Sequence, residues 1–164
     1  MADPKRFMVG CILPSILLVL LSVKGCSTYF NSTWKNALPQ EIEVGKTLAR
    51  STDIISSPGG SCGGAVFRLR KETRDEILEK GFRYFADKSN PRNLTTSSIS
   101  WKQDDVDGRL GLSFECVTKK HHSSGVRKAI DEGRAYYGIM DGTAFNTRIL
   151  IVPDEELVFV GYWD

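Results

Sequence analysis

Apolar residues fall along this chain in several distinct rhythms, and each rhythm predicts an element. From Phe7 to Val23 the sequence is apolar almost without a break, interrupted by Pro14 and Ser15. Further on, "GAVFRLR" alternates, with Ala65, Phe67 and Leu69 on one face and Val66, Arg68 and Arg70 on the other; a period of two predicts a strand. Thr73 and Glu76 then match a capping box, which opens a helix by satisfying its first N–H groups. The predicted helix carries Ile77, Leu78, Gly81, Phe82 and Phe85 on one stripe and stops at "SNP", because Pro91 cannot continue it.

"SISWKQ" and "RLGLSFECV" flank "DDVDG" and predict a hairpin, with Asp107-Gly108 in the turn. Leu110, Leu112, Phe114 and Cys116 share a face of the second arm. A second helix is expected after Ser123-Ser124, carrying Val126, Ala129, Ile130, Gly133 and Tyr137, and two β-rich runs around Pro153-Asp154-Glu155-Glu156 close the chain. Residues 41–58 fit either a further strand or an ordered arm. The predicted order is β-α-β-β-α-β-β. Its economical solution is an α+β fold, a two-layer split β-α-β sandwich of the ferredoxin-like kind with an extra C-terminal strand and both helices on one face. Phe159 and Trp163 then share a face, and Val158, Val160 and Tyr162 form an apolar patch if the other is left uncovered.

The leader changes the picture from a plain globular chain. Lys5 and Arg6 precede this 17-residue stretch, so residues 1–25 read as a signal peptide or a membrane anchor. The segment ends "LSVKGC", with Val23 three places and Gly25 one place before Cys26. This resembles the lipobox of bacterial lipoproteins, although Lys24 replaces the small or neutral residue usual there. The resemblance implies lipidation at Cys26, with an uncleaved anchor and a cleaved secreted protein as alternatives. Residues 26–40 read as a tether and 41–164 as one globular domain. Asn31 and Asn93 head N-glycosylation sequons, a weak signal in a chain rich in Ser and Thr.

Charge excludes one class of function. Of 22 basic and 20 acidic side chains, Lys5, Arg6, Lys24 and Asp3 lie in the leader, so 19 of each remain and the mature part is neutral. A general nucleic-acid binder needs a clustered excess of Lys and Arg, which no tract supplies. The expected partners are the membrane, through the anchor or lipid, and a protein of the cell envelope; no cofactor is implied.

The candidate chemistry centres on "SSPGGSCGGAVF". Cys62 in G-S-C-G-G resembles the nucleophile elbow of hydrolases, but a strand rather than a helix is expected after it. With Cys11 in the leader and Cys26 at the lipobox, Cys62 and Cys116 remain and form one possible disulfide in an exported domain. It would close a loop of about 54 residues, worth about 4 kcal/mol in the chain-entropy picture. Two free thiols, or a catalytic thiol at Cys62, are the alternatives. Lys119, Lys120, His121 and Ser124 make a weak candidate anion site at the start of the second helix, against the plainer reading of a solvated basic connection. No further Cys or His spacing completes a metal site around His121 and His122. "QDDVDGRLGLSF" lacks two of the ligands a calcium loop requires. Asp131-Glu132 and Glu155-Glu156 are expected to be solvated rather than catalytic.

Together these features predict an exported, membrane-tethered binding or assembly module on the periplasmic face of a bacterial envelope. The alternative is a thiol-dependent hydrolase or transferase using Cys62 with His121 or His122. A non-reducing peptide map, with free thiols alkylated first, separates the two. Linked Cys62 and Cys116 peptides are expected; alkylation of both cysteines would restore the thiol reading.

Overall fold

The computed structural model describes residues 33–51, 62–92, 97–103, 124–141 and 146–163. The described strands are β1 (Val44–Ser51), β2 (Cys62–Leu69), β3 (Ser98–Lys102), β4 (Tyr136–Asp141), β5 (Asn146–Val152) and β6 (Leu157–Trp163). The helices are α1 (Lys71–Lys80), followed by a 3-10 segment (Gly81–Phe85), and α2 (Ser124–Asp131); a 3-10 turn (Pro153–Glu155) joins β5 to β6.

The strands form one six-stranded sheet in the order β1-β2-β6-β5-β4-β3, and every described pairing is antiparallel. The fold is therefore α+β around an antiparallel sheet. The central register is continuous, from Cys62 opposite Trp163 to Arg68 opposite Leu157, and from Asn146 opposite Trp163 to Val152 opposite Leu157.

The two helices lie against opposite faces, not on one face as the sequence pattern suggests. On the first face Phe67, Leu69, Ile149, Ile151, Val158 and Val160 pack with Ile77 of α1 and with Tyr84 and Phe85. On the second, Val66, Leu150, Val152 and Phe159 pack with Val126 and Ala129 of α2. The reason is in the strands themselves. "ILIV" in β5 and "LVFV" in β6 are apolar at successive positions, and successive side chains point to opposite faces. Burying both sets requires a cover on each side. Val158 and Val160 are accordingly buried under the first layer rather than exposed as a patch, and Tyr162 stacks on Trp34 at 5.8 Å.

Several local expectations shift for identifiable reasons. Residues 44–51, left open between strand and arm, are edge strand β1. The α1 helix begins at Lys71, with Arg70 in the capping position making no side-chain cap. Thr73 is buried inside the first turn, and its Oγ1 accepts a hydrogen bond from the Glu43 N–H at 3.3 Å instead of capping the helix. After Lys80 the chain tightens to a 3-10 helix, whose pitch turns Tyr84 and Phe85 inward and leaves Phe82 exposed; Leu78, on the preceding α-helix, is exposed as well. The second helix ends at Asp131 because Gly133 adopts φ 66°, a conformation that glycine tolerates best. Tyr137, expected on that helix, lies instead in β4, where it packs against the α2 layer.

Trp34–Asp164 forms one compact unit. Ala37, Leu38 and Ile42 belong to the core on the first face, so residues 34–42 form a strap packed on the sheet. Leu38→Ala should therefore cost about 2–5 kcal/mol of stability, as for any core leucine. Leu78→Ala, at an exposed position, should stay within about 0.5 kcal/mol. Urea denaturation midpoints of the two variants check this; an unchanged midpoint for Leu38→Ala would place the strap outside the core.

Candidate functional site

The strap is held by one arginine. Arg92 follows the buried Pro91, and its backbone N–H donates to the Leu38 carbonyl at 3.0 Å. Its Nη2 donates to the carbonyl oxygens of Pro39 (3.2 Å), Gln40 (3.2 Å) and Ile42 (3.1 Å). The Nε of Arg92 is shielded from solvent without a hydrogen-bond partner. Nearby, the Arg70 N–H donates to the Glu43 carbonyl at 3.1 Å, and the two side chains form an ion pair at 3.4 Å. These elements enclose an open groove of about 570 Å³ lined by Gln40, Glu43, Val44, Arg70 and Arg92. Two guanidinium groups face one carboxylate there, so the lining carries one net positive charge. Chemically it suits recognition of a polar, anionic group.

Beneath the strap lies an aromatic cluster. The Tyr84 hydroxyl donates to the Glu41 carbonyl at 3.0 Å, and the Lys88 ammonium sits 4.4 Å from the centre of the Tyr84 ring. Burial pushes the Tyr84 phenol up to about 12, and the negative charges of Glu76, Glu41, Asp87 and Glu43 reinforce the shift. Trp101 donates its indole N–H to the Lys88 carbonyl at 2.6 Å and packs on Phe85 with ring centres 4.4 Å apart. Tyr84 is thus held protonated as a structural donor, not poised as a base.

The Pro153-Asp154-Glu155-Glu156 turn, expected to be solvated, is engaged on three sides. Glu156 adopts φ 56°, ψ 36°, an uncommon conformation for a residue with a side chain. Its carbonyl accepts the Leu69 N–H at 2.8 Å, and its carboxylate pairs with Arg74 at 3.2 Å and Arg68 at 3.7 Å. Asp154 pairs with Arg134, and the Glu155 carboxylate lies against Gly125 in the first turn of α2. Arg134 also donates to Glu132 at 2.9 Å; that hydrogen bond holds the Glu132 carboxyl below the usual range. Each exposed pair contributes little alone. Together they join the turn to β2, α1 and α2, which is a structural role for acids that face cations rather than a substrate.

The residues singled out in the sequence are brought together only in part. Cys62 opens β2 opposite Trp163 of β6, and the strand continues after it, so no strand-to-helix elbow presents it. Cys26, Cys116, Lys119, Lys120, His121 and His122, with the turn and second arm of the expected hairpin and with Asn31 and Asn93, lie outside the described residues; the first arm of that hairpin is β3, which pairs with β4. Ser124 is the exposed first residue of α2, and the adjacent turn receives the carboxylate of Glu155, an anion from the chain itself. Among the described residues no group of His, Cys, Asp and Glu could hold a metal ion, and no helix is long and apolar enough to cross a membrane. The groove residues Arg70 and Arg92 carried no sequence signal beyond a position in or beside loops; only the fold brings them within reach of the strap.

No family model, curated protein or solved structure matches this chain.

Because the folded-state ionisation of Tyr84 lies above its ordinary value of 10.0, its contribution to stability is present below pH 10. That contribution is lost as pH rises from about 10 towards 12, where the unfolded chain releases the proton first. Denaturant midpoints measured across this window should fall, and Tyr84→Phe should flatten the fall. Identical slopes for the two proteins would leave Tyr84 without this role.

Proposed function

We propose that the chain is an exported small domain, tethered to the bacterial envelope membrane through lipid on Cys26, that acts as a binding or assembly module. The observation carrying this reading is the junction between leader and domain. The residues that follow the leader are locked into the core from Trp34 onward, and the same segment supplies Gln40, Glu43 and Val44 to the groove. A binding surface built on the attachment segment suits a domain that works close to its anchor. The eight residue steps from Cys26 to Trp34 reach at most about 28 Å when fully extended, so lipid at Cys26 keeps the domain near the membrane face.

A thiol-dependent hydrolase finds less support. The G-S-C-G-G cysteine enters an antiparallel ladder directly, and the positions that would supply its base carry no described geometry. A disulfide between Cys62 and Cys116 fits the exported setting better.

Fractionation of cells producing Cys26→Ser tests the tether. The variant should leave the membrane fraction while keeping the denaturation midpoint of the parent. Retention in the membrane would replace lipid attachment with an uncleaved anchor.

A further inference from the structure

We infer that the groove between residues 40–44 and Arg70 and Arg92 binds a small solute carrying an oxyanion, a carboxylate or a phosphate. This deepens the binding role proposed above and rests on it.

The two arginines are held differently. The side-chain hydrogen bonds of Arg92 run to neutral carbonyl oxygens, and among the described residues no carboxylate pairs with it. Three carbonyl oxygens at 3.1–3.2 Å nevertheless hold its Nη2 in place. A cation immobilised in this way gives up little conformational freedom when a ligand arrives. More than half of the Arg70 side chain is exposed by contrast, and among the described residues its ion pair is with an equally exposed Glu43. That pair, at 3.4 Å, is an exchangeable surface contact.

Glu43 therefore acts as an internal competitor. Its carboxylate occupies the face of Arg70 that a ligand oxyanion would take, and it can rotate into water without breaking its backbone hydrogen bonds to Arg70 and Thr73. Arg70 would then offer a planar pair of donors to the ligand, beside the fixed positive charge of Arg92. Gln40, which both donates and accepts, suits a hydroxyl or amine next to the anionic group. The size, about 570 Å³, is that of a small-molecule site. Four of the five lining residues are polar, so a purely apolar ligand is disfavoured, and a single net positive charge is too small for a polyanion.

The test uses the full chain in detergent and follows backbone amide resonances during titration with inorganic phosphate and, separately, with succinate. Sodium chloride at matched ionic strength is the reference. Saturable shifts are expected at Gln40–Val44, Arg70 and Arg92 with at least one of the two probes. Arg70→Gln should weaken binding about tenfold, the weight of one charge-assisted hydrogen bond, whereas Glu43→Gln should tighten it. Saturation by phosphate alone identifies a phosphate group, by succinate alone a carboxylate, and by both an unselective oxyanion site. Shifts that merely follow chloride, or two variants that change affinity in the same direction, would overturn the inference. Both substitutions lie on the surface, and unchanged amide spectra outside the groove show that the variants are folded. A groove that saturates while Cys26→Ser stays in the membrane would remove the lipid anchor and keep the site. A silent groove with normal release of Cys26→Ser would do the reverse.

Discussion

Leu150 and Ile151 are neighbours in a strand, so one must point to each face of the sheet, and both are buried. Val158 and Phe159 in β6 impose the same requirement, as do Val66 and Phe67 in β2. Three adjacent central strands with apolar side chains on both sides cannot be stabilised by one helical layer. The chain meets this constraint by sending α1 and its 3-10 extension to one face and α2 to the other. Once that division is made, the short β5–β6 turn must serve both layers. Its three acids do so, with Glu156 reaching Arg68 and Arg74 while Asp154 and Glu155 reach Arg134 and α2.

The first layer is completed by chain that is not part of any long element. Residues 34–42 bring Ala37, Leu38 and Ile42 into the core, and their exposed carbonyl oxygens need donors once water is partly excluded. Arg92 and Tyr84 meet that need from two separate elements by donating to strap carbonyls, and Thr73 accepts from the Glu43 amide just beyond the strap. The groove is a by-product of this arrangement. A backbone segment satisfied by an arginine leaves positive charge beside it, and Arg70 adds a second cation at the rim.

Much of the secondary structure could be read from residue patterns, because β2 and α1 up to Ile77 follow simple periods and β5 and β6 stand out as β-rich apolar runs. The layer arrangement was also written there, in the unbroken apolar runs of β5 and β6, but a period-two reading passes over it. β4 was hidden because Tyr137 continues a helical spacing from Val126 and Ile130, and only the conformation of Gly133 separates the elements. The Thr73–Glu76 pattern misled for a different reason: a threonine hydroxyl serves whichever backbone group is nearest, and here that group belongs to Glu43. The groove had no local signature at all. Gln40, Glu43, Arg70 and Arg92 meet only through the path of the strap, and side chains distant in sequence announce nothing about such a meeting.

The strap also determines how the domain bears mechanical load. A pull arriving through the N-terminal chain acts first on Trp34, stacked on Tyr162, and then on the carbonyls gripped by Arg92. Only after these contacts yield would force reach the β1–β2 ladder at the sheet edge. The segment from Trp34 to Ile42 is thus a strain relief, separating tension in the preceding chain from the hydrogen bonds that hold the sheet together.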